Sequence, residues 1–154
     1  MAIPELIPIA YMPNSYTRYI GKYGDGKQFM AFVTATLANG ARRGRRERKR
    51  WYAVLHRFDS GGNHLGTDAW FAGVEADGWK IVEEKAKAKR LEMLAGLGKY
   101  ALCDIRVKLF RTDIEGQLCG LIDDSSEEAG FEDRVVLWPN DFLFHAPWDG
   151  TYDT

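Results

Sequence analysis

Residues 51–73 read WYAVLHRFDSGGNHLGTDAWFAG, and their patterning decides the fold class. Two runs rich in aromatic and β-branched residues, Trp51–Phe58 and His64–Val74, flank Ser60-Gly61-Gly62-Asn63. Glycines in a short break between such runs supply the backbone freedom of a hairpin turn. Centring the turn on Gly61-Gly62 sets Asp59 opposite His64, His56 opposite Thr67, and Tyr52 opposite Phe71. Side chains alternate along a strand, so Tyr52, Val54, His56 and Phe58 share one face and Trp51, Ala53, Leu55 and Arg57 the other. Large apolar groups on both faces place this hairpin at the centre of a sheet covered on both sides.

Upstream, Pro4, Pro8 and Pro13 make residues 1–14 an extended arm. A first hairpin follows, Tyr16–Tyr23 with Lys27–Leu37. Taking Asp25-Gly26 as its turn pairs Tyr19 with Phe32 and Arg18 with Val33. Residues 38–50 (ANGARRGRRERKR) form a basic connecting loop. Downstream, Trp79 to about Leu97 has helical spacing in Trp79, Val82, Ala86, Met93, Leu94 and Leu97, with Asp77 as N-cap. A third hairpin, Tyr100–Ile114 with Gln117–Asp123, turns at Glu115-Gly116. Cys103, Ile105, Val107 and Leu109 line one side of its first strand. A last strand around Arg134–Trp138 leads into an aromatic tail, residues 139–154. The order ββ-ββ-α-ββ-β predicts one α+β domain over residues 1–154: mainly antiparallel sheet, three hairpins plus a last strand, with one helix packed on a face.

Composition narrows the function classes. The 154 residues carry a formal net charge of −1, which argues against binding nucleic acid or membrane through overall charge. No run reaches the roughly 18 apolar residues of a membrane helix. The N-terminal stretch lacks the basic segment of a secretory signal. Cys103 and Cys119 read as buried thiols of a reducing compartment, so the expectation is a cytoplasmic protein. They form no CxxC or Cys/His pattern for zinc, and no metal or cofactor is expected.

The segments Trp51–Gly73 and PNDFLFHAPWDGTYDT (Pro139–Thr154), with the IPELIPIA opening (3–10) and YIGKYGDGKQF (19–29), resemble a family of small bacterial proteins of unknown function. Some of its members carry the label formate hydrogenlyase regulatory protein. The resemblance takes in most of the chain. It implies a regulatory or binding role and supplies no catalytic or binding residues to carry over.

Four groups of residues are candidates for a site. Arg42, Arg43, Arg45, Arg46, Arg48, Lys49 and Arg50 are a dense basic run. Guanidinium forks suit phosphate or carboxylate, and Trp51 and Tyr52 stand beside them for base stacking. A charge run is equally the composition of a solvated connection. Asp123, Asp124, Glu127, Glu128, Glu132 and Asp133 form an acidic counterpart without a calcium-loop spacing. Asp59 with His64, or His56 with Asp68, provides the elements of an acid–base site. No GxSxG or P-loop accompanies them, and a turn-flanking Asp–His pair is also a local hydrogen bond. Trp138, Phe142, Phe144, His145, Trp148 and Tyr152 form an aromatic cluster fit for a lid or a partner surface, which Tyr52, His56, Trp70 and Phe71 could extend.

These readings favour a non-enzymatic binding or regulatory domain that engages another protein or a second copy of itself. Nucleic acid through Arg42–Arg50 is the first alternative, and a small Asp/His enzyme the second.

Overall fold

The computed structural model describes residues 3–37, 49–125 and 133–151. Among the described residues, eleven strands and one long helix follow in chain order: β1 (Ile7–Ile9), β2 (Ile20–Tyr23), β3 (Lys27–Leu37), β4 (Lys49–Phe58), β5 (His64–Val74), α1 (Trp79–Ala95), β6 (Tyr100–Leu102), β7 (Ile105–Val107), β8 (Phe110–Ile114), β9 (Gln117–Asp123), β10 (Arg134–Trp138) and β11 (Phe142–His145). A five-stranded sheet has the order β5-β4-β3-β2-β6, a four-stranded sheet β11-β10-β9-β8, and β1 pairs with β7. Every pairing is antiparallel. The fold is α+β, with the helix packed across one face of the larger sheet.

Alternation along β3 and β4 builds two cores. Met30, Phe32, Tyr52, Val54 and Phe58 meet Phe110, Cys119, Leu121, Val135 and Phe144 of the smaller sheet in the main core. Phe29, Ala31 and Leu55 on the opposite face meet Leu94 of α1. The layers are therefore helix, sheet, sheet. The buried stripe of α1 is Val82, Ala86, Arg90 and Leu94, spaced four apart.

Several sequence expectations need correction. Residues 16–19 form a 3-10 turn rather than strand, capped by Ser15, whose hydroxyl accepts from the Thr17 amide at 3.2 Å. The first hairpin closes over three residues, because Gly24 and Gly26 both take positive φ. Tyr23 then faces Lys27 and Ile20 faces Met30, one residue out of the expected register, so the Tyr19–Phe32 and Arg18–Val33 pairs do not form.

In the second hairpin His56 faces Thr67 and Tyr52 faces Phe71, as the sequence predicts. A register shift at Arg57/Phe58 puts Phe58, not Asp59, opposite His64. Of the two strands only β4 is central; β5 is an edge strand with Leu65, Trp70 and Phe71 exposed. Helix α1 starts from Gly78, without a side-chain cap from Asp77.

The expected long strand 100–114 divides into β6, β7 and β8, which pair with β2, β1 and β9 respectively. The extended arm gains β1, and the tail contains β11, hairpinned to β10.

Glycine is required where β2 passes β6. A Cβ on Gly21 would stand 1.9 Å from the carbonyl oxygen of Ala101. Gly24, in the neighbouring turn, has open space around it and a φ of +55°. Gly21→Ala should lose about 3 kcal/mol or more by displacing β6, and Gly24→Ala about 1 kcal/mol from backbone strain alone, in urea unfolding.

Candidate functional site

His56 and His64, which offer the elements of an acid–base site in the sequence, belong to a hydrogen-bonded chain at the main core. His56 is fully buried between the sheets. Its Nε2 lies 3.6 Å from the Cys119 thiol and its Nδ1 2.7 Å from the Thr67 hydroxyl. The same hydroxyl lies 2.8 Å from His64 Nε2. Phe110 stacks on His64 at 4.5 Å and meets His56 edge-on at 4.8 Å.

Burial, then the nearby His64, pushes the His56 pKa down to about 3. Burial likewise raises the Cys119 thiol to about 12. A nucleophilic cysteine needs the opposite shift. The chain is a set of neutral groups satisfying one another, as buried polar groups must. Asp59 takes no part: its carboxylate accepts from the Gly61 and Asn63 amides at 3.0 and 2.8 Å and closes the turn. Asp68 pairs with Arg57 at 3.5 Å.

The remaining sequence candidates are dispersed. Tyr52 is buried; its hydroxyl donates to Glu115 and accepts from Arg50 Nε at 2.9 Å, while Arg50 covers the Phe71 ring. Trp70 lies on the helix side of β5, under Lys89. Trp138 sits on β10 opposite Gly120, and Trp148 packs against the main core beyond β11. Arg42, Arg43, Arg45, Arg46 and Arg48 lie outside the described residues, as do Glu127, Glu128 and Glu132. Asp124 bonds Arg134 through Nε at 3.1 Å.

A different place has the properties of a binding site. β2 covers β3 only along Lys27–Met30, so the flank of β3 beyond Met30 has no strand beside it. The 3-10 turn Tyr16–Tyr19, helix α1 and the Pro139-Asn140 turn between β10 and β11 close around that flank. They leave a cavity of about 660 Å³. Its lining includes Tyr16, Arg18, Thr34, Trp51, Arg90 and Asn140.

Three buried donors of this lining have no hydrogen-bond partner among the described residues: Trp51 Nε1, Arg90 Nε and Asn140 Nδ2. Asn140 is held by its other amide atom, Oδ1, which accepts from the Thr34 hydroxyl. Arg90 is only 6 % exposed and makes no ion pair among the described residues. Its guanidinium lies 4.3 Å from the centre of the Tyr19 ring, which Arg18 approaches at 5.5 Å. Burial and then the Arg18 charge pull the Arg90 pKa below its ordinary value, against a hydrogen bond with the Tyr19 side chain that acts the other way. Glu83 also lines the cavity, but its carboxylate is 3.0 Å from Lys87. Buried donors and a buried cation left in this way cost free energy until acceptor oxygens meet them. The arrangement is fit to hold an anion.

Sequence reading passed over Arg90, though a signal existed. It stands at the four-residue spacing of Val82, Ala86 and Leu94, where an apolar residue belongs on a core-facing stripe. Trp51 reads in the sequence as a strand-face residue and as a neighbour of the basic run, with nothing to single out its indole N–H. Asn140 carried no signal, because its role depends on contact with Thr34, far away in sequence.

Comparison with protein-family models, curated proteins and solved structures gave no match to this chain. Among the described residues no helix is long and apolar enough to cross a membrane, and no group of three His, Cys, Asp or Glu side chains is placed to hold a metal ion.

The histidine chain has a pH signature. The folded pKa of His56 lies below its ordinary 6.5, so the unfolded chain binds the proton more tightly. Stability is then fully present above pH 6.5 and falls as the pH drops toward 3. Between pH 7 and pH 4 the loss from His56 alone should be about 3 kcal/mol. In urea unfolding at the two pH values, His56→Leu should reduce the difference by about that amount; an unchanged difference would show that His56 is not held neutral.

Proposed function

We propose that the chain is a cytoplasmic, non-enzymatic binding or regulatory protein, and that it works by holding an anionic group in the cavity between β3, α1 and the Pro139-Asn140 turn. The group belongs either to a small molecule or to an acidic position on a partner protein. The observation that carries this reading is the set of three unpartnered buried donors, Trp51 Nε1, Arg90 Nε and Asn140 Nδ2, on residues that line one cavity. Packing alone gives no reason for it. A helix stripe that already buries Val82, Ala86 and Leu94 would be better served by an apolar residue than by Arg90, since a buried charge that meets a tyrosine but no carboxylate among the described residues destabilises a fold.

Binding rather than catalysis is supported by the character of the groups that surround the cavity. Apart from Glu83, which Lys87 takes up, the charged groups are cations, with no histidine or cysteine in the lining. The one Cys–His contact lies in the main core, with the thiol's proton affinity raised. The resemblance to the regulatory-protein family points the same way, toward a bacterial regulator, and two free thiols suit a reducing compartment.

Arg90→Met keeps the length of the side chain and removes its charge. By this reading the variant is as stable as the wild type or more stable. Thermal unfolding with millimolar inorganic phosphate, phenyl phosphate, benzoate and citrate should raise the wild-type midpoint with at least one of them and leave the variant unmoved. No response in the wild type, or equal responses in both proteins, would contradict the reading.

A further inference from the structure

The charge and shape of the same cavity narrow the ligand, an inference that rests on the binding reading above. The charged side chains in the lining are Arg18, Glu83, Lys87 and Arg90. Glu83 is taken up by Lys87 at 3.0 Å, which leaves the two guanidinium groups of Arg18 and Arg90 without a carboxylate among the described residues. Both lie against one ring, that of Tyr19. Two like charges placed together in a partly dry site are best met by one group of charge near −2.

The neutral donors agree. The Trp51 indole and the Asn140 amide come from β4 and from the turn after β10, and the Arg90 guanidinium from the helix. Their residues line the cavity from separate elements. A tetrahedral group offers acceptor oxygens in several directions, whereas a carboxylate offers two oxygens in one plane. The mouth carries a further feature. Tyr16 lines the cavity, packs its ring 4.4 Å from that of Phe142, and is 56 % exposed. A supported, exposed ring gives the organic part of a ligand an apolar face to lie on.

We infer that the ligand is an organic phosphate monoester, its phosphoryl oxygens held by Arg18, Trp51, Arg90 and Asn140 and its organic part resting on Tyr16. A phosphate monoester carries a charge of about −1.5 to −2 at pH 7 because its second ionisation falls near pH 6. The cavity of about 660 Å³ is of the size that takes a small metabolite.

The test is isothermal titration of the full chain with phenyl phosphate, inorganic phosphate, benzoate, a nucleoside monophosphate and a phosphoserine peptide. Phenyl phosphate should bind at least about tenfold more tightly than benzoate at pH 7.5. Its affinity should rise about fourfold from pH 5.5 to pH 7.5 as the dianion forms. No histidine lines the cavity to produce that rise from the protein side. Trp51→Phe removes one N–H and keeps a ring, and should weaken phenyl phosphate about tenfold; Arg18→Met should weaken it about thirtyfold. Far-UV circular dichroism verifies that both variants are folded.

Benzoate binding as tightly as phenyl phosphate, with loss in both variants, would overturn the phosphate assignment and leave the anion site standing. Phosphate binding unaffected in the two variants would place it elsewhere and overturn the inference. No binding of any probe would overturn the underlying reading as well. A phosphoserine peptide binding more tightly than phenyl phosphate and the nucleotide would move the source from a small molecule to a modified protein, against the inference as stated.

Discussion

The antiparallel ladder between β3 and β4, with ten residue pairs from Gln28–Phe58 to Leu37–Lys49, is the constraint on which the rest of the structure depends. Strand alternation sends Met30, Phe32, Tyr52, Val54, His56 and Phe58 into one core and Phe29, Ala31 and Leu55 into the other. A slip of one residue would exchange the two sets. The ladder therefore fixes where the helix packs and where the second sheet packs. The length of β3 also creates the cavity: β2 is four residues long and β3 eleven, so one flank of the ladder is closed by a turn, a helix and a loop instead of by a strand.

The cavity and the histidine chain show two ways of treating polar groups in a dry interior. His56, Thr67, His64 and Cys119 satisfy one another, so they fix the packing between the sheets and offer nothing to a ligand. Arg90, Trp51 and Asn140 are left with donors to spare. Internal satisfaction produces a rigid core; incomplete satisfaction beside a cavity stores a free-energy cost that binding can relieve. Arg90 sits on the same helix stripe as Leu94 of the second core, so the site is joined directly to the packing that holds α1 on the sheet.

Much of the fold was legible because it depends on local chemistry. The glycines of residues 60–63 marked the second hairpin, Glu115-Gly116 marked the third, and both residues of that last turn take positive φ. The first hairpin was misread by one residue because Gly24-Asp25-Gly26 offers two turns, and the sequence does not decide between them. The division of residues 100–114 was hidden, since β6, β7 and β8 are separated only by their distant partners. Clean alternation at Ile105 and Val107 looks the same whichever strand lies alongside. The site was the least legible part. Charge is densest in the run of arginines at 42–50, while the informative arginine is Arg90, placed where the helix pattern asks for an apolar side chain.

The most direct test of the central claim is a ¹H–¹⁵N spectrum of the five tryptophan indoles and the arginine Nε–H groups during titration with phenyl phosphate. Trp51, identified with the Trp51→Phe variant, and Arg90 should show the largest downfield shifts as their N–H groups gain acceptor oxygens. Trp70, Trp138 and Trp148, none of which lines the cavity, should remain in place. Shifts centred on those tryptophans, or a spectrum that does not change, would contradict the account.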